Sequence, residues 1–301
     1  MAERETMNIN NSETRSIELA FDKINASTPC LEPVITSYRG LFVSKALIKH
    51  ALAEKTGLQI NAPDPQKLLE GRPWLTEQGI ASLVDPWCDN VKEVSTSIAK
   101  AFPETENSVS ALVKAIEKKQ VIWDECVISF IEGDEERIMR LAQAINVEPA
   151  LLKFILFNLI KPFVEKRVEG LGDSLQGLSW FEGYCPVCGA FPELSYLKEK
   201  EGQRWLRCSF CSHDWRFDRM ICPFCKEKNE HKELLYVDGD EKKWVELCSS
   251  CNRYIANVDL RENEELRTDI AAIGMIHLDA IAQQKGYIPT ANCTWNVLIT
   301  P

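Results

Sequence analysis

Eight of the twelve cysteines form four Cys-x-x-Cys pairs between residues 185 and 251: Cys185/Cys188, Cys208/Cys211, Cys222/Cys225 and Cys248/Cys251. Two residues between thiols let both sulfurs of a pair reach one ion from a tight turn. Two such pairs close a tetrahedral four-sulfur shell around a soft metal. A single pair is a weak signal; four in a row, separated by 19, 10 and 22 residues, predict two bound ions.

The elements that must position these thiols repeat. Cys-Pro-Val-Cys at 185 matches Cys-Pro-Phe-Cys at 222, a shift of 37, and Cys208/Cys211 matches Cys248/Cys251, a shift of 40. A tryptophan precedes each second knuckle (Trp205, Trp244). Leu194–Tyr196 with Trp205–Arg207 reads as one hairpin, and Leu234–Val237 with Trp244–Leu247, turning at Asp238-Gly239-Asp240, as another. The duplication assigns Cys185, Cys188, Cys208 and Cys211 to one site and Cys222, Cys225, Cys248 and Cys251 to the other. An interleaved pairing stays open at this level. Each ribbon is too short to order itself by apolar burial alone, so metal bonding must supply its stability.

Upstream the periodicity is helical. Ser12 reads as a cap for a helix through Ile17 and Phe21, after a polar start. Further helices are expected over 31–55, from Asp85-Pro86 to about Phe102, and over 108–119, 135–145 and 149–168. The apolar run Leu151–Val164 is broken by Lys153, Asn158, Lys161 and Pro162, which predicts a buried helix and no membrane span. A terminal helix is expected over about 263–285. The fold class is α+β, with five segments: an N-terminal segment and first helix (1–27), a helical domain (28–178), a first four-cysteine ribbon (179–217), a second four-cysteine ribbon (218–260), and a C-terminal helix and tail (261–301).

A net charge of −10 argues against a sequence-independent grip on nucleic acid. Between Cys185 and Cys251 there are 11 Lys and Arg against 12 Asp and Glu. The first residues lack a basic stretch followed by an apolar one, so a cytoplasmic protein is expected. In that compartment paired cysteines read as metal ligands or catalytic thiols. Cys30, Cys88, Cys126 and Cys293 are scattered and expected to be small buried residues. No catalytic constellation is evident. His213 and His277 read as hydrogen-bonding or half-buried groups, His50 as a surface residue, and Glu135-Glu136 as a solvated helix start. Asp269 and Asp279 are close to three turns apart, which allows an acidic stripe or two solvated carboxylates. With four sulfurs each, the metal sites are expected to be closed to water.

Cys-Pro-Val-Cys-Gly at 185–189 resembles a rubredoxin knuckle, where glycine after the second cysteine permits a positive φ. The other knuckles carry Ser212, Lys226 and Asn252 there. Iron, as in rubredoxin, and zinc both fit four sulfurs, so the ribbons read as rubredoxin-like or zinc-ribbon units. The run Tyr184–Pro192, with Arg204–Trp215, Arg219–Cys225, Cys248–Tyr254, Asp269–Ile273, Leu278-Asp279 and Gly286-Tyr287, resembles the formate dehydrogenase accessory protein FdhE family. Gly71-Arg-Pro73 adds a looser upstream match. Family members commonly carry paired aspartates where this chain has Thr268-Asp269. The resemblance implies a cytoplasmic, non-enzymatic assembly factor that binds the catalytic subunit of a respiratory formate dehydrogenase before export. Exposed aromatics near the knuckles (Phe191, Phe210, Trp215, Phe224) would serve as contacts. It implies neither nucleic-acid binding nor a membrane span, and a homodimer is allowed. Two readings compete with it: an iron- or dithiol-based redox protein, and a zinc-ribbon nucleic-acid module.

Overall fold

The computed structural model describes residues 2–52, 60–171, 179–228, 232–262, 266–291 and 293–296. The helices are α1 (Ala2–Ser27), α2 (Glu32–Ala51), α3 (Pro65–Leu69), α4 (Glu77–Ala81), α5 (Asp89–Ala101), α6 (Glu106–Glu117), α7 (Trp123–Glu132), α8 (Glu135–Ile145), α9 (Pro149–Glu169), α10 (Thr268–Ala271) and α11 (Ile276–Gln284). The strands are β1 (Pro192–Lys198), β2 (Gln203–Cys208), β3 (Asp214–Arg216), β4 (Lys232–Val237), β5 (Asp240–Cys248), β6 (Arg253–Asp259) and β7 (Ile288–Pro289). The chain divides into two compact units, residues 1–60 with 76–167, and residues 61–75 with 168–301.

The first unit is helical because its apolar residues recur at helical spacing. Asp134 caps α8 through its side chain, accepting from the Arg137 N–H at 2.9 Å, and Asn146 ends the helix in the left-handed conformation. In its core Phe102 meets both Tyr38 and Phe154 edge to face, with ring centroids 5.2 Å apart in each case. The apolar run Leu151–Val164 is a buried stretch of α9, and Pro162 lies inside that helix.

Some expectations move. α1 runs back to Ala2, so Ser12 sits within the helix instead of capping it. Asp85-Pro86 does not open α5, which starts at Asp89. The Asp85 carboxylate is taken by Arg167 at 2.9 Å, and its carbonyl accepts the Trp123 indole N–H at 2.9 Å. α7 has no counterpart in the sequence reading. Cys126 is buried as expected, and burial pushes its thiol up to about 12. Cys30 is exposed and Cys88 half-buried, because both sit at helix entrances. His50 is half-buried and paired with Glu13 rather than facing solvent.

The second unit is built on one sheet. Each ribbon contributes three antiparallel strands, and both expected hairpins form (β1–β2 and β4–β5). The strand order is β3-β2-β1-β6-β5-β4 because β1 and β6 pair in parallel, Leu194 opposite Ala256 through Leu197 opposite Asp259. The two ribbons are therefore one continuous surface. The short β7 pairs with β6 as well.

The expected terminal helix is broken. A 3-10 turn over Ala272–Met275 separates α10 from α11, where small residues and Gly274 are buried. Asp269 is held by a two-pronged ion pair with Arg267, while Asp279 is 7% exposed. No acidic stripe forms.

Candidate metal centres

Each Cys-x-x-Cys turn has the same local construction. The N–H of Cys185 donates to the Ala190 carbonyl, that of Cys208 to His213 and that of Cys222 to Glu227, all at 2.9 Å. The residue after each second cysteine is left-handed: Gly189 at φ 76°, Ser212 at 59°, Lys226 at 59° and Asn252 at 54°. For side chains other than glycine that conformation costs on the order of 1–2 kcal/mol. The turn therefore dictates the conformation against local preference. Amide N–H groups then point at sulfur: Val187 to Cys185, Phe210 and Cys211 to Cys208, and Phe224 to Cys222, each at 3.4 Å.

The structure gathers the eight thiols into two groups, Cys185, Cys188, Cys208 and Cys211, and Cys222, Cys225, Cys248 and Cys251, each with all sulfurs within 4.8 Å of one another. The grouping is sequential, not interleaved. The closest sulfur pairs are 3.4–3.5 Å apart in the first group and 3.7–3.8 Å apart in the second. A metal–sulfur bond of about 2.3 Å places tetrahedral sulfurs about 3.8 Å apart, so both groups fit such an ion. Charge leads to the same conclusion. Burial pushes Cys185 and Cys211 well above the ordinary thiol range, while hydrogen bonds from the other three sulfurs hold Cys208 well below it in spite of burial. In the second group burial raises Cys222 to about 11. Four sulfurs crowded together, three of them buried in the first group and two in the second, cannot all ionise unless a cation shares the site. Each group could hold one metal ion.

Two contacts lock the knuckles in place. A segment from far upstream straps the first: Trp74 N–H donates to the Pro186 carbonyl at 2.7 Å and Leu75 N–H to Val187 at 2.9 Å. The Tyr184 hydroxyl donates to the Gly71 carbonyl at 2.7 Å. The second knuckle is pressed by Gly183, where a Cβ would fall 1.7 Å from the Pro223 oxygen. Between the knuckles Phe191 and Phe224 stack at 4.3 Å, and the Arg253 guanidinium lies 4.4 Å over the Phe224 ring. The aromatics expected to be exposed are therefore largely internal. Trp215 is 4% exposed, its indole N–H donating to the Glu182 carbonyl, and Phe191, Phe210 and Phe224 are half-buried. The strap is legible in the sequence only as the Gly71-Arg-Pro73 likeness.

His213 and His277 are half-buried, and burial lowers both imidazoles. Neither joins a sulfur group.

Residues 184–219 match the family model described as FdhE, central domain. The FdhE homolog of Aquifex aeolicus is 30% identical over 191 residues, 62% of this chain and 61% of that protein. Over these stretches the chain is similar to FdhE proteins. FdhE of Escherichia coli K12 is 26% identical over 106 residues, 35% of this chain and 34% of that protein. The aligned stretches thus cover less than two thirds of these relatives. The crystal structure of the FdhE protein from Pseudomonas aeruginosa matches this chain with a TM-score of 0.62 over 94% of each chain. At 18% identity that likeness shows a shared fold. No helix among the described residues is long and apolar enough to cross a membrane.

Proposed function

We propose that this chain is a non-enzymatic accessory protein that binds the catalytic subunit of a respiratory formate dehydrogenase in the cytoplasm and assists its maturation. The single observation that carries this reading is FdhE likeness falling on the very segment that holds the first sulfur group, residues 184–219. Cys185, Cys188, Cys208 and Cys211 would bind one ion and Cys222, Cys225, Cys248 and Cys251 the other, each iron or zinc. Four sulfurs complete a tetrahedral shell, which suits an ion that stiffens a docking surface. Co-purification tests the reading: the tagged chain should retain the dehydrogenase catalytic subunit, and its deletion should lower formate dehydrogenase activity. Absence of both effects removes it.

A redox role has one observation in its favour. Cys188, Cys225 and Cys251 are only half-buried, so each sulfur group has an edge near solvent through which an electron could pass. Anaerobic preparations decide it. Red protein with sulfur-to-iron bands that bleach reversibly supports electron transfer, and colourless zinc protein excludes it.

A further inference from the structure

Strand register aligns Tyr236 with Trp244, Trp244 with Asn257, and Leu197 with both Asp259 and Arg204. These side chains share one face of the sheet, and a cavity of about 240 Å³ opens on it. It spans strands of both ribbons, so it exists only because β1 and β6 join them. Arg204 lines this cavity although it is only 3% exposed. Its Nε donates to the Ser195 hydroxyl at 2.8 Å and its Nη1 to the Ile221 carbonyl at 3.1 Å. Its Nη2 is buried with no hydrogen-bond partner among the described residues, the Glu246 carboxylate lying 3.7 Å away. A buried guanidinium N–H left unmade is costly, and a ligand atom would satisfy it.

The lining also fixes the charge of that ligand. Four cations (Arg204, Arg219, Lys232, Arg261) and three carboxylates (Glu241, Glu246, Asp259) line it, Lys232 donating to Glu246 at 3.3 Å, so the lining itself carries one surplus positive charge in a chain of net charge −10. Asp259 is already held by Arg261, at 2.5 Å to Nη2. A dianion would meet three carboxylates in so small a space, whereas a monoanion balances the surplus. Trp244, Tyr236, Leu197 and Leu234 supply apolar and aromatic wall. The volume lies below the roughly 300–1,000 Å³ of pockets for drug-sized ligands.

We propose that this cavity binds a monocarboxylate with a short apolar or aromatic body, its carboxylate meeting Nη2 of Arg204 near Lys232 and its body lying against Trp244. The carboxylate belongs either to a free acid or to the C-terminus of a polypeptide. The test titrates the full, metal-loaded chain with phenylacetate, inorganic phosphate, and a short peptide ending in phenylalanine as the free acid or the amide. Indole and arginine Nε signals are followed by NMR. Phenylacetate is expected to saturate in the millimolar range and to bind more tightly than phosphate. Lys232→Gln, at the exposed rim, should weaken it about tenfold, the worth of one charge-assisted hydrogen bond. Glu241→Gln should tighten it. Binding of the peptide acid but not the amide assigns access to a chain terminus; binding of phenylacetate alone assigns a free acid. Absence of saturation by either carboxylate, phosphate binding as tightly, or affinities unmoved by both variants overturns the proposal.

Discussion

Asp279 is a buried carboxyl with no counter-cation among the groups that shift it. Its Oδ2 has no hydrogen-bond partner among the described residues, and burial lifts its pKa to about 6 from 3.8, with the Tyr254 hydroxyl pulling weakly the other way. A raised carboxyl binds its proton more tightly in the folded state. Stability is therefore full below about pH 4 as far as this group is concerned. It falls as pH rises from about 4 to about 6, by on the order of 2–3 kcal/mol, and stays lower above. Asp279→Asn should remove that slope and raise the unfolding midpoint at pH 7, measured by denaturant titration at several pH values. Glycines supply a second test at this scale. Gly183→Ala forces a methyl into the Pro223 carbonyl and should cost at least about 1–3 kcal/mol. Gly40→Ala in α2 meets nothing within 4 Å and should stabilise by about 0.5–1 kcal/mol. Equal effects from the two in thermal melts would contradict the close packing on the second knuckle.

At the scale of elements, each Cys-x-x-Cys turn is a self-contained device, while each site needs two of them. Cys188→Ser should therefore empty the first site and spare the second, halving the metal per chain by elemental analysis. Loss of both ions would mean that the Phe191–Phe224 stack couples the sites more tightly than the backbone does. The same locality explains what can be foreseen. Thiol spacing, the Asp238-Gly239-Asp240 hairpin and the helix over 135–145 are written within a few residues, and all are legible, whereas the Asp134 cap is a finding of the structure. The parallel join between Leu194–Leu197 and Ala256–Asp259 is not, because nothing local announces a partner so far along the chain. The cavity over Arg204 is illegible too, since it draws on strands of both ribbons.

For the whole molecule, the two units should answer differently to chelation. Structural zinc contributes on the order of 10–16 kcal/mol of apparent binding energy, comparable to or above the roughly 5–15 kcal/mol of net stability of a typical domain. Removing metal should therefore abolish the amide signals of the sheet while the helical unit keeps its far-ultraviolet dichroism. Sheet signals that survive chelation would show that apolar burial is sufficient there. The strap adds a prediction of its own. A fragment starting at residue 168 lacks the Trp74 and Leu75 donors, worth about 0.5–1.5 kcal/mol each, and should surrender metal to a competing chelator faster than the full chain.

That strap also imposes an order on biosynthesis. A ribosome makes Trp74 and Leu75 first, then the helices α4 to α9, and only afterwards the Cys185–Cys188 turn that accepts their amide protons. Nothing can finish the metal-bearing half until the helical half has been translated through it.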